Sequence, residues 1–280
     1  MTSKHAFELL KNELTSLYEN REAENIADWV LENIMQEKRW ERNRNLSPMT
    51  QQQQMVFEKY RKELLNFRPV QYVLHEAFFY GMKFFVDKNV LIPRPETEEL
   101  VDHVIKENPT AKSILDIGTG SGCIPVALKK KISSAEVSAV DVSEGALKVA
   151  LKNAELNQVK INFSTLDILN QKEWDTLPSF EIIVSNPPYV TPQEKSTLSP
   201  NVVNFEPSVA LFVPENDPLL FYKVIFHFAQ QKLNPGGKVY LEVNESYAGD
   251  VSDYFEKNGW RTEILRDMYG KERMVKAIPT

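Results

Sequence analysis

The chain has 280 residues, 42% of them hydrophobic, so it is long enough to bury one large core and a smaller second one. Its 33 basic and 39 acidic residues give a net charge of −6, which weighs against duplex nucleic acid as the main partner. The single cysteine, Cys123, excludes an intramolecular disulfide, and the sequence shows no zinc-ligand spacing and no apolar run of about 18 residues. We therefore expect a cytoplasmic protein with neither a metal ion nor a membrane partner.

The first 66 residues have the periodicity of helices. Apolar residues recur at helical spacing along 7–17 and 23–34, and Ser47-Pro48 predicts the start of a further helix. A helical bundle without glycine loops or titratable clusters is more typical of recognition than of catalysis. We predict an N-terminal substrate-recognition domain over residues 1–67. A packing cap on the following domain is the equal alternative.

Residues 68–94 change to strand character. Apolar runs on either side of Gly81 predict a β-hairpin, which we interpret as a linker between domains. Pro93-Arg94-Pro95 then forces an extended backbone, because a residue before proline is excluded from the helical region. A helix follows at once, with Glu96, Glu98 and Glu99 in its first turn. An ion pair between Arg94 and Glu98 that fixes the linker is the alternative to a role in recognition.

From residue 112 strands and helices alternate, which is typical of a doubly wound α/β sheet. The predicted strands cover 113–117, 137–140, 161–163, 180–185, 238–243 and, at the end, 260–266 and 272–278. A turn is predicted at 234–237. Residues 95–280 are therefore predicted to form one domain built on a mostly parallel, seven-stranded sheet that ends in an antiparallel hairpin.

A glycine-rich loop joins the first of these strands to its helix. Gly118, Gly120 and Gly122 stand at alternate positions, so a ligand can lie against bare backbone, and the helix N-terminus that follows favours an anion. A loop of this kind by itself also fits a dinucleotide site or a tight turn without a ligand. A dehydrogenase would have the spacing G-x-G-x-x-G, with the third glycine one position later.

Two aspartates follow the next two strands. Asp141 ends the second strand, 23 residues beyond Gly118 (141 − 118), where a carboxylate accepts the ribose hydroxyls of an adenosine-containing cofactor. Asp167 follows the third strand, where it can take an adenine amino group. Each aspartate alone is more typical of a turn or a helix cap. Together with the glycine loop they predict three consecutive sites along one sheet edge.

Asn186-Pro187-Pro188-Tyr189 end the fourth strand. Two prolines cannot continue a strand, because each lacks an amide donor, so the chain leaves the sheet at its carboxyl edge. The Asn186 side-chain oxygen and the Pro187 carbonyl can each accept an N–H of a planar, amide-like nitrogen and orient its lone pair. Tyr189 can pack against the planar group. The alternative is a rigid exit from the strand with no ligand.

These motifs together resemble class I S-adenosylmethionine-dependent methyltransferases with a Rossmann-like fold. Three further segments are similar to the protein-glutamine N5-methyltransferases, among them the enzymes that methylate the glutamine of the Gly-Gly-Gln loop in peptide chain release factors. These segments are Arg68 to Tyr72, Leu91 to Glu98, and Asn204 to Pro207. The resemblance runs from about residue 20 to the C-terminus and is most specific at Pro93 to Glu98 and at Asn186 to Tyr189.

The resemblance implies S-adenosyl-L-methionine as cofactor, S-adenosyl-L-homocysteine as product, and a peptide chain release factor as the protein partner, without direct nucleic-acid binding. Carried over, the cofactor-binding residues are Gly118, Thr119, Gly120, Ser121, Gly122, Asp141, Asp167, Ile168 and Asn186. Ile168 stands where the family often has an aromatic residue. The residues expected to hold the glutamine are Asn186, Pro187, Pro188 and Tyr189, with Asn186, Pro187 and Tyr189 as the catalytic ones.

Three other functions remain open at this point: methylation of a ribosomal-protein glutamine, N6-adenine methylation of DNA or RNA, and a non-enzymatic adaptor. A DNA enzyme should carry a base-flipping pocket and a basic recognition segment, whereas the extra module here is small and mixed in charge. The adaptor has little support, since both the cofactor motif and the acceptor motif are intact. The sequence therefore favours glutamine methylation.

Overall fold

The computed structural model describes the backbone of residues 1–42 and 48–280 and the side chains of 1–40 and 48–280. The chain divides into two compact units, one formed by Met1–Glu76 with Ser199–Phe205 and the other by Ala77–Leu198 with Glu206–Thr280. No helix in these described ranges has both the length and the apolar character needed to cross a membrane.

The helices are α1 (Ser3–Leu14), α2 (Asn20–Met35), α3 (Arg39–Arg42), α4 (Gln51–Leu65), α5 (Val70–Leu74), α6 (Pro95–Glu107), α7 (Cys123–Lys131), α8 (Glu144–Leu156), α9 (Pro200–Phe205), α10 (Ser208–Leu211), α11 (Leu220–Lys232) and α12 (Ala248–Lys257). The strands are β1 (Ala77–Phe79), β2 (Met82–Phe84), β3 (Ser113–Ile117), β4 (Glu136–Asp141), β5 (Asn162–Thr165), β6 (Phe180–Ser185), β7 (Leu233–Glu242), β8 (Trp260–Arg266) and β9 (Glu272–Pro279). Short 3-10 helices span Gln171–Thr176 and Pro192–Thr197.

The first unit is a helical bundle with its own apolar core. The core is contributed mainly by α1, α2 and α4, whose buried residues include Ala6, Leu10, Leu14, Ala27, Val30, Leu31, Phe57 and Leu64. Helix α4 begins with a capping box, in which Thr50 Oγ1 accepts the N–H of Gln53 at 3.2 Å and Gln53 Oε1 accepts the N–H of Thr50 at 2.9 Å. The predicted helix start at Ser47-Pro48 is therefore wrong; Ser47 lies outside the described residues, and Pro48 forms a β-bridge with Thr2.

The second unit is built on a seven-stranded sheet in the order β5-β4-β3-β6-β7-β9-β8. Strands β3 to β7 run parallel, and β9 is antiparallel to both β7 and β8. Helices flank the sheet, and its two faces bury separate apolar clusters. The predicted α/β architecture, with its mostly parallel sheet and terminal antiparallel hairpin, is confirmed.

The predicted turn at 234–237 is instead a bulge inside strand β7. Leu233 pairs with Phe180 and Lys238 pairs with Ile182, so the residues between Leu233 and Lys238 are accommodated by a shift in register. A Cβ atom at Gly237 would lie 2.6 Å from the Glu181 carbonyl oxygen, so only glycine fits there. The strand therefore begins earlier than the apolar pattern indicates.

Strands β1 and β2 form an antiparallel hairpin, and the chain beyond it is held to the glycine loop by a buried asparagine. Asn153, on α8, accepts the N–H of Phe85 at 2.6 Å and donates to the carbonyls of Phe85 and Ser121, both at 2.8 Å. Asn153 is fully buried. One side chain thus connects the segment that follows the hairpin with the loop that follows β3.

We predict that Asn153→Ala lowers the free energy of unfolding by about 3 kcal/mol, because it removes three hydrogen bonds of a fully buried side chain, one of them itself buried. Urea denaturation measures the change. Asn162→Ala, at an exposed position on edge strand β5, is the matched control and should shift stability by less than about 0.5 kcal/mol. Equal effects of the two substitutions would contradict the role assigned to Asn153.

Candidate active site

The site lies where three neighbouring parallel strands end. Ile117, the last residue of β3, pairs with Val140 on one side and with Ser185 on the other. Gly118, Asp141 and Asn186 follow these three residues directly, so all three come to the same edge of the sheet. This is the carboxyl edge, where open α/β sheets bind their ligands.

A single cavity of about 300 Å³ opens along this edge. Ten of the residues predicted to bind cofactor or substrate line it: Gly118, Thr119, Gly120, Ser121, Asp141, Asp167, Ile168, Asn186, Pro187 and Pro188. Two predicted residues, Gly122 and Tyr189, are not on its wall. Gly122 has a φ of 78° at the N-cap of α7, where a Cβ atom would lie 3.0 Å from Ala150 Cβ, so it provides close packing of α7 on α8.

The glycine loop is hydrogen-bonded to the end of β4 through one main-chain and one side-chain acceptor. Gly118 N–H donates to the Val140 carbonyl at 2.9 Å, and Gly120 N–H donates to Asp141 Oδ2 at 2.8 Å. The other Asp141 oxygen accepts the N–H of Ser143 at 2.8 Å. Burial raises the pKa of Asp141, and these N–H donors oppose the rise. Each carboxylate oxygen keeps a further lone pair with which it can accept a ligand hydroxyl.

Asp116 lies beneath the loop as a buried carboxyl group. Neither of its oxygens, nor the Thr119 hydroxyl, has a hydrogen-bond partner in the described part of the chain. Burial raises the pKa of Asp116 to about 7; the nearby Thr119 hydroxyl opposes the rise and the Asp141 carboxylate adds to it. An ammonium group bound above the loop would supply the positive charge that this carboxylate lacks.

The residues that follow β5 form a largely apolar part of the cavity wall. Asp167 Oδ1 accepts the N–H of Leu169 at 2.9 Å, so this carboxylate also closes the local turn. Ile168 is buried, and its carbonyl accepts the indole N–H of Trp174 at 2.9 Å. With Leu166 and Leu169 these residues form an apolar slot that suits a flat aromatic ring.

A series of hydrogen bonds leads from the Asn186 side chain into the protein interior, through Thr97 to Glu242. Its Nδ2 donates to Thr97 Oγ1 at 3.2 Å, and the Thr97 hydroxyl donates to Glu242 Oε2 at 2.6 Å. The other oxygen of Glu242 accepts from the Tyr189 hydroxyl at 3.3 Å. Glu242 ends β7 and is only 2% exposed. Burial raises the pKa of Glu242 to about 7, against the two hydroxyl donors.

The acceptor end of the cavity has two oxygens without partners. Within the described residues, no hydrogen bond is made to Asn186 Oδ1 or to the Pro187 carbonyl oxygen. Both residues line the cavity. They are therefore available to accept two N–H groups from a ligand.

Sequence reasoning missed Thr97, Glu242 and the buried state of Asp116. Thr97 falls within the segment Leu91 to Glu98, and Glu242 ends a predicted strand at the same sheet edge. The sequence positions of both residues could therefore have indicated a place in the site. The alternative of an ion pair between Arg94 and Glu98 is not what the structure shows. Arg94 Nη2 instead lies 2.6 Å from Glu206 Oε1, and Glu98 accepts the N–H of Tyr80 at 2.8 Å.

The sheet order, the glycine loop at its carboxyl edge and the shared cavity define a class I methyltransferase. The family described as Methyltransferase small domain matches residues 95–204. A release factor glutamine methyltransferase of Flavobacterium psychrophilum is 43% identical over 272 residues, covering 94% of each chain. One from Bacteroides thetaiotaomicron is 46% identical over 210 residues, covering 75% of each. The chain belongs to the family of release factor glutamine methyltransferases.

Solved structures agree on the fold. The crystal structure of a methyltransferase from Pyrococcus furiosus aligns with a TM-score of 0.52 at 19% sequence identity, covering 71% of this chain and 89% of the other. At this level of identity the likeness concerns the fold alone.

The buried carboxyl group of Asp116 predicts a pH dependence of stability in the cofactor-free protein. Its pKa is raised from 3.8 to about 7 on folding, so ionisation opposes the folded state. The contribution of Asp116 to stability is fully present below pH 3.8 and is lost as the pH rises through about 7. We expect the wild type to lose stability relative to Asp116→Asn over this window in urea titrations at successive pH values.

Asp175→Asn is the matched control, because the Asp175 side chain is 91% exposed. Its stability should follow that of the wild type at a constant offset. A constant offset for Asp116→Asn as well would contradict the assignment.

Proposed function

We propose that this protein transfers the methyl group of S-adenosyl-L-methionine to the side-chain amide nitrogen, N5, of the glutamine in the Gly-Gly-Gln loop of peptide chain release factors. The observation that carries the proposal is the single cavity lined both by the glycine loop and by Asn186 and Pro187. A methyl donor and a planar nitrogen must meet within one enclosed space, and this cavity provides it.

The residues around the cavity fit each part of the cofactor. The ribose hydroxyls are matched by Asp141 and the adenine ring by the apolar slot at Ile168, with Asp167 at its amino group. Asp116 is fully buried behind the glycine loop rather than on the cavity wall, and it contributes negative charge close to the ammonium group. When bound, S-adenosyl-L-methionine supplies a methyl group on a positively charged sulfur. The product is S-adenosyl-L-homocysteine.

Asn186 and Pro187 are proposed to hold and aim the acceptor. The lone pair of a glutamine side-chain nitrogen is delocalised into the carbonyl, which makes it a weak nucleophile. Asn186 Oδ1 and the Pro187 carbonyl each accept one N–H, so the lone pair points into the cavity and the positive charge that develops on nitrogen is stabilised. The nitrogen bonds to the methyl carbon as the carbon–sulfur bond breaks, and one N–H proton is then released. Pro188 lines the cavity beside the amide, whereas Tyr189 lies behind the wall and donates to Glu242, so a contact between Tyr189 and the amide stays a prediction.

The helical bundle, residues 1–67, is proposed to recognise the release factor, with residues 68–94 as the linker and residues 95–280 as the methyltransferase domain. The bundle has its own apolar core, and none of the cavity-lining residues belongs to it. We place the reaction in the cytoplasm, with a protein as the substrate and without direct contact to nucleic acid or membrane.

The proposal predicts which molecules accept a labelled methyl group. Purified release factor should take up about one methyl group per chain, and its variant with Gln changed to Ala in the Gly-Gly-Gln loop should take up none. Ribosomal proteins and DNA incubated in parallel should stay unlabelled. Equal labelling of the Ala variant, or labelling of DNA or a ribosomal protein in preference to release factor, would exclude the proposed substrate.

A second prediction concerns Asn186. Asn186→Ala removes an acceptor that acts on the reacting nitrogen, so methyl transfer should fall by about 10²-fold or more. Cofactor affinity, measured by calorimetry, should change by less than about tenfold, because the glycine loop and Asp141 are intact. Asn162→Ala is the control for the substitution itself and should keep full activity. Methyl transfer at the wild-type rate by Asn186→Ala would overturn the orientation mechanism.

A further inference from the structure

The hydrogen bonds behind Asn186 determine which end of its side-chain amide faces the cavity. Glu242, as a carboxylate, only accepts hydrogen bonds, so the Thr97 hydroxyl must use its single proton to donate to Glu242 at 2.6 Å. Thr97 Oγ1 is then left as an acceptor toward Asn186. Only the NH₂ end of the amide can donate to it, and the oxygen is therefore turned away from Thr97.

We propose that Thr97 and Glu242 are positioning residues that hold the Asn186 side-chain oxygen toward the acceptor nitrogen. This inference rests on the function proposed above, in which that oxygen accepts an N–H of the glutamine. The two ends of the amide are nearly equivalent in shape, so without these hydrogen bonds the side chain could also present its NH₂ end to the NH₂ of the substrate.

Protonation of Glu242 would permit the reverse orientation of the Asn186 amide. A protonated Glu242 would donate to Thr97, the Thr97 hydroxyl would then donate to Asn186, and the amide would turn its NH₂ end to the cavity. Since burial raises the pKa of Glu242 to about 7, the change falls near neutral pH. The groups that face Glu242 from the surrounding elements are Glu96, Cys123, Tyr189, Tyr222 and Arg273.

A purely structural role for Thr97 predicts a different result. Valine has nearly the same shape as threonine and would fill the same buried space. If the hydroxyl only contributed to packing, Thr97→Val would change stability without a specific change in turnover. If the hydroxyl positions Asn186, turnover falls while cofactor binding is kept.

The test compares Thr97→Val, Thr97→Ser and Glu242→Gln in methyl transfer to release factor. We expect kcat to fall by at least about tenfold in Thr97→Val, and to be restored to within about threefold of wild type in Thr97→Ser, which keeps the hydroxyl. Glu242→Gln keeps an oxygen that accepts from Thr97 but cannot ionise, so it serves to remove the pH dependence. The cofactor Kd should stay within about threefold in all three. The fall of wild-type kcat below about pH 7 should be absent in Glu242→Gln.

Tyr222→Phe is the matched control, because the Tyr222 hydroxyl donates to the main-chain carbonyl of the same Glu242 at 3.3 Å and does not belong to the chain that leads to Asn186. It removes a buried hydrogen bond at this residue and should keep kcat. A kcat within threefold of wild type in folded Thr97→Val, or an equal loss in Tyr222→Phe, would overturn the proposal.

A measurement without substrate separates this inference from the proposed function. In protein labelled with ¹⁵N at asparagine side chains, the Asn186 NH₂ signals are assigned by their loss in Asn186→Ala. We expect them to shift in Thr97→Val and to titrate near pH 7 in the wild type and in Tyr222→Phe, but not in Glu242→Gln. If the Asn186 NH₂ signals are unchanged in Thr97→Val, the hydrogen bonds from Glu242 through Thr97 do not position Asn186, whichever substrate is methylated.

Discussion

The parallel register of three strands is the constraint on which the site depends. Ile117 of β3 pairs with Val140 of β4 and with Ser185 of β6, so the three strands reach their carboxyl edge at nearly the same level. A one-residue shift would reverse the faces to which the side chains of a strand point and would remove its residues from the cavity. The apolar side chains buried on both faces of the sheet hold this register, and in that way the core determines the geometry of the site.

The pair of prolines after β6 has an effect opposite to that of the glycines after β3. Glycine allows the backbone to bend under a ligand, with a φ of 74° at Gly118 and 53° at Gly120. Pro187 and Pro188 offer no N–H of their own, and the Pro187 carbonyl accepts no hydrogen bond from the described residues. The glycine side of the cavity thus allows a ligand to lie close to the backbone, and the proline side presents hydrogen-bond acceptors.

The sequence was sufficient to predict which strand ends meet at the cavity. The glycine loop, Asp141 and the Asn186 segment each follow an apolar run that reads as a strand, and parallel strands bring such positions to one edge. The contact between Thr97 and Glu242 joins residues 145 apart, and Arg94 pairs with Glu206 across 112 residues. Such contacts depend on how α6 packs against the sheet, which no local pattern encodes.

Two buried carboxyl groups at this edge have similar pKa values but different surroundings. Burial raises the pKa of both Asp116 and Glu242 to about 7. Glu242 receives hydroxyl donors from Thr97 and Tyr189, whereas neither oxygen of Asp116 receives a donor from the described residues. Hydrogen-bond donors stabilise a charged Glu242 in one orientation, whereas a charged Asp116 depends on a positive charge nearby.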